Sequence, residues 1–79
     1  VKIRFFAGAA DAAGLDEAVF GGPLSVGSLR SSLVEAYGPE FSRVLGRCSL
    51  LADGVRLEDA DTVVPDSAIV DVLPPFAGG

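Results

Sequence analysis

Histidine and tryptophan are absent from the 79 residues, and Cys48 is the lone cysteine. Without imidazole the chain has no side chain whose ordinary pKa suits proton transfer near neutral pH. One thiol cannot close an intramolecular disulfide, and with no histidine beside it no zinc or iron ligand set can be assembled. Positive charge is scarce: six Lys and Arg stand against 11 Asp and Glu, giving a net charge of -5, and the basic residues form no run along the chain. A nucleic-acid backbone or an anionic membrane surface would be repelled overall, so neither is expected as a partner. No apolar stretch approaches the ~20 residues that a spanning helix needs. The first residues are strand-like and lack the basic-then-apolar layout of a signal peptide, so a cytoplasmic location is expected.

What the chain does have is apolar material, 49% of its residues, dominated by Val, Leu, Ala and Phe. That is enough for one domain held by packing alone, and the length is too short for two cores. Val1-Lys2-Ile3-Arg4-Phe5-Phe6-Ala7 alternates at period two, which predicts a first strand with Val1, Ile3 and Phe5 inward and Phe6 outward. Gly8 to Gly14 is alanine-rich and reads as one or two helical turns, and Asp16 to Phe20 as a second strand closing on Gly21-Gly22-Pro23. Ser25 is a good N-cap for a main helix in which Val26, Leu29, Leu33 and Tyr37 recur at helical spacing. Gly38-Pro39 stops that helix, and Phe41, Val44 and Leu45 predict a second, brief one from Pro39 to Leu45.

Asp53-Gly54, between Ser49–Ala52 and Val55–Leu57, is the dipeptide of a two-residue type I′ hairpin. After an acidic loop, Ala68 to Leu73 is a last strand ended by Pro74-Pro75. Strand, strand, helix, hairpin, strand is the order of an α+β β-grasp domain, a mixed sheet packed on one main helix. The first and last strands are then parallel neighbours at the centre. Residues 1–73 make the domain, and 74–79 an extended, flexible C-terminal tail ending in Gly-Gly.

Catalysis by side chains is hard to build from this inventory. The acids Asp11, Asp16, Glu17, Glu35, Glu40 and Asp71 are scattered, and Glu58, Asp59 and Asp61 read as a solvated loop rather than a metal site. Cys48 reads as a structural cysteine: a reactive thiol would need exposure and nearby positive charge. The tail, Leu73-Pro74-Pro75-Phe76-Ala77-Gly78-Gly79, is the unusual part. Two prolines stiffen the exit from the sheet, and Ala77, Gly78 and Gly79 are as slender as a chain can be. A reaction at a main-chain carboxylate inside another protein's channel needs that slimness. Strand parity adds a surface: Phe6, Leu73 and Phe76 would form an apolar patch at the root of the tail, bordered by Arg4 and Arg56, of the kind that marks a protein interface.

Pro74-Pro75-Phe76-Ala77-Gly78-Gly79 resembles the PP-x-[SAT]-GG ending of the molybdopterin synthase small-subunit branch of the MoaD/ThiS sulfur-carrier family. Lys2 to Ala7 resembles the family's opening K-x-x-[LY]-F-A, and Ser49 to Gly54 its hairpin. Asp53 stands where the family usually has Asn, and Pro65-Asp66-Ser67 where it commonly has a D-G-D turn. The resemblance implies a ubiquitin-like fold and makes Gly79 the reacting residue. An E1-like enzyme would adenylate its carboxylate with ATP, and a sulfur donor protein would then supply the sulfur that displaces AMP, leaving a thiocarboxylate.

Pro74, Pro75, Phe76, Ala77 and Gly78 would thread the partner's channel, and Phe6, Leu73, Phe76 and Arg56 would meet its surface. The implied partner is the large molybdopterin synthase subunit, in a heterotetramer, where sulfur goes to a cyclic pyranopterin precursor. No cofactor or metal ligand is implied on this chain itself. Thiamine or cysteine synthesis, a ubiquitin-like protein modifier using the same adenylated Gly79, and a plain interaction domain with an accidental Gly-Gly end remain alternatives.

Overall fold

The alternation at the start of the chain becomes β1 (Lys2–Phe5), in which Ile3 and Phe5 are buried and Lys2 and Arg4 exposed. The computed structural model describes residues 1–75, so the expectations for Phe76, Ala77, Gly78 and Gly79 lie outside the described residues. Ala7, with a φ of 49°, turns the chain out of the sheet into α1 (Gly8–Ala13). Gly14, in the left-handed region at φ 81°, ends that helix and donates its N–H to the Ala10 carbonyl. β2 (Glu17–Val19) returns antiparallel to β1, with Ala18 opposite Ile3. It is a residue shorter at each end than expected. Phe20 donates its N–H to the Val1 carbonyl and accepts from the Val1 ammonium at 2.7 Å, but stands outside the strand.

Two short strands were not anticipated: β3 (Leu24–Ser25) and β6 (Val63–Val64) pair antiparallel in a separate small sheet. A two-residue strand has no periodicity for a sequence pattern to register. The helix α2 (Val26–Leu45) follows β3 directly, with the Ser25 hydroxyl accepting the Ser28 N–H at 3.1 Å. Val26, Leu29, Leu33, Phe41 and Leu45 are its buried face. The expected break is present: Gly38 adopts φ 90° and ψ -174°, so two helical segments meet there at a kink. Pro39, lacking an N–H and disfavouring a helical conformation in the residue before it, begins the second segment.

β4 (Ser49–Ala52) and β5 (Val55–Arg56) form the expected hairpin, with Asp53 at φ 49° and Gly54 at φ 84°. Positive φ at both central residues is the requirement of the type I′ turn. Aspartate at this turn has a second use: its carboxylate accepts the Ile69 N–H at 3.1 Å, while its own N–H donates to the Ile69 carbonyl at 2.8 Å. The hairpin is thereby pinned to the first residue of β7 (Ile69–Leu73). β7 lies between β1, to which it is parallel, and β4, to which it is antiparallel, in the order β2-β1-β7-β4-β5.

Ile3, Leu29, Leu33, Phe41, Leu50, Val64, Val70 and Val72 are the largest fully buried side chains, all between the sheet and α2 or its flanking loops. Each such Leu or Phe contributes about 1.5–3 kcal/mol by leaving water, and no disulfide supplements them. Phe5, Tyr37 and Phe41 pack edge to face with centroids 5.3 to 5.7 Å apart, tying β1 to both sides of the α2 kink. Among the described residues no helix is long and apolar enough to cross a membrane.

Candidate functional site

β7 is the central strand and also the one that delivers the chain to its tail. Val70 and Val72 are buried under the sheet, so Ile69, Asp71 and Leu73 face away from α2. Register extends this open face on both sides: Lys2 lies beside Ile69 and Arg4 beside Asp71 on β1, while Leu51 and Ser49 on β4 lie opposite Asp71 and Leu73. Arg56 on β5 continues the row from Leu51. Phe6 follows β1, donates its N–H to the Val72 carbonyl and is 37% exposed, equal to Ile69. Leu73 and Pro74 are half-buried and Pro75 is exposed. Phe6, Leu73 and Arg56 therefore belong to one face of the sheet, and Phe76 lies outside the described residues.

An ion pair at the centre of that face is a feature that single-strand patterns do not reveal. The Arg4 guanidinium donates to both Asp71 oxygens, at 2.6 and 2.9 Å, in the bidentate geometry that suits a carboxylate. Its carbon also sits 5.8 Å from the centre of the Phe6 ring. The Asp71 hydrogen bonds and charge raise the Arg4 pKa further above its already high value. Asp71 alone in an apolar strand was the available signal; the parallel pairing that gives it a partner is non-local. Arg56 lies 3.5 Å from Glu58, both well exposed.

Cys48 is half-buried, and its Sγ contacts the Val44 carbonyl at 3.2 Å. Burial pushes its pKa up and the Arg30 charge offsets that only in part, so the thiol is not held as a nucleophile. Among the described residues no three His, Cys, Asp or Glu side chains converge as metal ligands. A cleft of about 380 Å³ opens beside the tail root, lined by Glu40, Arg43, Val44, Arg47, Pro74 and Pro75. It joins the second segment of α2 to the point where the chain leaves the sheet.

Compared with known proteins, the chain matches the ThiS family over residues 3–79. No curated protein sequence matches it significantly. Among solved structures it is similar to small archaeal modifier protein 1 from Methanosarcina acetivorans, with 28% identity, a TM-score of 0.79, and 99% of this chain and 94% of that one covered. The likeness to SAMP1 from Haloferax volcanii has 25% identity and a TM-score of 0.75, covering 99% and 97%. A complex of subunits 1 and 2 of molybdopterin-converting factor from Helicobacter pylori contains a chain with the same fold, at 22% identity and a TM-score of 0.74, covering 99% and 96%.

Proposed function

The chain belongs to the ThiS family of small ubiquitin-like sulfur carriers, which are not catalytic in themselves, and on that premise we propose that it is the sulfur carrier of a molybdopterin synthase. The reacting group is the Gly79 carboxylate. One of its oxygens attacks the α-phosphorus of ATP in an E1-like enzyme, releasing pyrophosphate and leaving an acyl-adenylate. The terminal sulfur of a donor protein's persulfide then attacks the acyl carbon and expels AMP, and a thiol cleaves the resulting acyl disulfide, forming a disulfide with the donor sulfur and freeing the chain. The resulting thiocarboxylate is anionic at neutral pH, and its soft sulfur is a better nucleophile than a carboxylate oxygen. In the large synthase subunit it would attack a cyclic pyranopterin precursor, and water would hydrolyse the resulting thioester to return the Gly79 carboxylate. A second loaded carrier would supply the other sulfur of the dithiolene. ATP is consumed by the activating enzyme, and this chain binds no cofactor.

The observation that carries this reading is the continuity from the buried central strand into the end of the chain. β7 anchors the chain in the core up to Leu73, exposed Pro75 stands two residues beyond it, and Gly78-Gly79 follow in the sequence. Phe6, Leu73 and Arg56 on the open face would bear on the partner while Pro74 to Gly78 thread its channel. A second reading, a ubiquitin-like modifier joined to lysines through the same adenylated Gly79, draws support from the 28% identity to an archaeal modifier protein.

The test is intact mass spectrometry after incubation with an E1-like enzyme, ATP and a sulfur source. The expected product has one oxygen replaced by sulfur, and an alanine appended after Gly79 should abolish it. An unchanged mass for the natural chain, or undiminished sulfur loading of the extended one, would overturn the proposal. Adding a large synthase subunit and precursor then separates the readings. Dithiolene formation supports the molybdopterin assignment, a thiazole or cysteine product moves the chain to another pathway, and lysine conjugates identify a modifier.

A further inference from the structure

Five of the six basic side chains of this acidic protein separate into two groups once the chain is folded. Lys2, Arg4 and Arg56 each meet a carboxylate on or beside the open face: Glu17 at 3.2 Å, Asp71 at 2.6 Å and Glu58 at 3.5 Å. Arg43 and Arg47 instead lie on and just beyond the second segment of α2, whereas Arg30 stands in its first segment. Arg43 and Arg47 line the cleft with Pro74 and Pro75, and the Arg30 charge is felt at Cys48, next to Arg47 in the chain. Arg43 is paired with Glu40, whereas neither Arg30 nor Arg47 has an ion-pair partner among the described residues.

Ser49 lies opposite Leu73 at one end of the β4–β7 ladder, so Arg43, Arg47 and the tail root share that end of the molecule. At the other end Asp53 caps the start of β7, and Asp66 lies 3.7 Å from the Val1 ammonium. Asp59 and Asp61 belong to the loop whose Ala60 and Thr62 carbonyls accept the Gly27 and Val26 N–H groups, at the start of α2. Asp11, within α1, and Asp16, whose carbonyl accepts the Phe5 N–H, lie toward the tail-root end but across β1 from β7, on the side of β2.

We propose that the arginine-flanked cleft at the tail root is a docking surface for an acidic segment of a partner protein. That this partner is the one accepting the tail rests on the sulfur-carrier reading. The Val44, Pro74 and Pro75 floor suits the apolar stems of Glu or Asp side chains, and Arg47 and Arg43 offer hydrogen bonds to their carboxylates. A nucleic acid fits less well: it needs a run of phosphate contacts, whereas this cleft has two arginines with Glu40 beside them, on a chain of net charge -5. Exposed charges of this kind act chiefly on the rate of association, here favouring encounters in which the tail leads.

Two measurements test the proposal. In the first, the labelled chain is titrated with a hexaglutamate peptide at low salt and followed by backbone amide NMR. Shifts confined to residues 40–48 and Leu73, lost at high salt and in the Arg43→Glu, Arg47→Glu double variant, are expected. Shifts elsewhere, none, or stronger binding of a single-stranded oligonucleotide at the same residues would overturn it. In the second, the association rate with the cognate E1-like enzyme is measured. The double variant, which loses only the exposed Arg43–Glu40 pair and should melt slightly lower but still fold, should associate about 10-fold more slowly at low salt, and Arg47→Lys should retain most of the natural rate. An association rate unchanged in the double variant, with the natural chain still adenylated, overturns the docking surface and leaves the sulfur-carrier reading intact. A natural chain that binds the peptide but is never adenylated does the reverse.

Discussion

Replacing Gly38 by alanine is a test in which the sign of the effect separates two structures of α2. In an ordinary helix interior, Gly→Ala stabilises by about 0.5–1 kcal/mol, because glycine loses more backbone freedom on folding. Gly38 is not in a helical conformation: at φ 90° and ψ -174° it occupies a region nearly exclusive to glycine. A Cβ built there meets no atom within 4 Å, so the whole cost is backbone strain, about 1–3 kcal/mol. The kink also aims the second helical segment, placing Phe41 and Leu45 under the sheet and Arg43 and Arg47 beside Pro74. For a domain of this size the urea slope is about 1 kcal/mol/M, so the midpoint of unfolding should fall by roughly 1–3 M with the slope unchanged. Urea titration followed by circular dichroism measures both. A midpoint that stays the same or rises would mean that α2 runs through position 38 as a regular helix, and the account of the kink would be wrong.

Three further outcomes are expected. Ser25→Ala removes the hydroxyl that accepts the Ser28 N–H, and should cost about 1 kcal/mol of stability by the same urea titration, whereas Ser25→Asp should restore most of it. Phe6→Asp places a carboxylate on the open face at a site already 37% exposed. Calorimetry should show weaker binding to the E1-like enzyme with an unchanged melting temperature, and unaltered affinity would remove that face from the interface. Cys48 has its pKa raised by burial, and only the thiolate reacts. Alkylation by iodoacetamide in the folded chain should therefore rise at higher pH than in the urea-unfolded chain; coincident pH profiles would contradict the half-buried, carbonyl-bonded thiol.

Much of the architecture was written locally. Period-two alternation placed Ile3 and Phe5 inward, Ser25 marked where the main helix begins, Gly38-Pro39 where it breaks, and Asp53-Gly54 the hairpin. Each rests on a conformational preference or a side-chain period that acts within a few residues. The tail motif is read from the sequence alone, since Phe76 to Gly79 lie outside the described residues.

What the folded chain added depends on contacts between residues far apart in sequence. The β3–β6 pair, the Asp53 carboxylate on Ile69, the Arg4–Asp71 pair 67 residues apart, and the arginines at the tail root have no local signature. The basic residues look dispersed along the chain, yet two of them share one end of the molecule, because the turn of α2 into β4 carries Arg43 and Arg47 to where β7 ends. Sequence alone determined where β1, the main helix with its break, the β4–β5 hairpin and the last strand fall, since those follow from the residues themselves. Only the tertiary structure decided what surrounds the root of the tail, since parallel pairing and the kink of α2 set which distant charges meet.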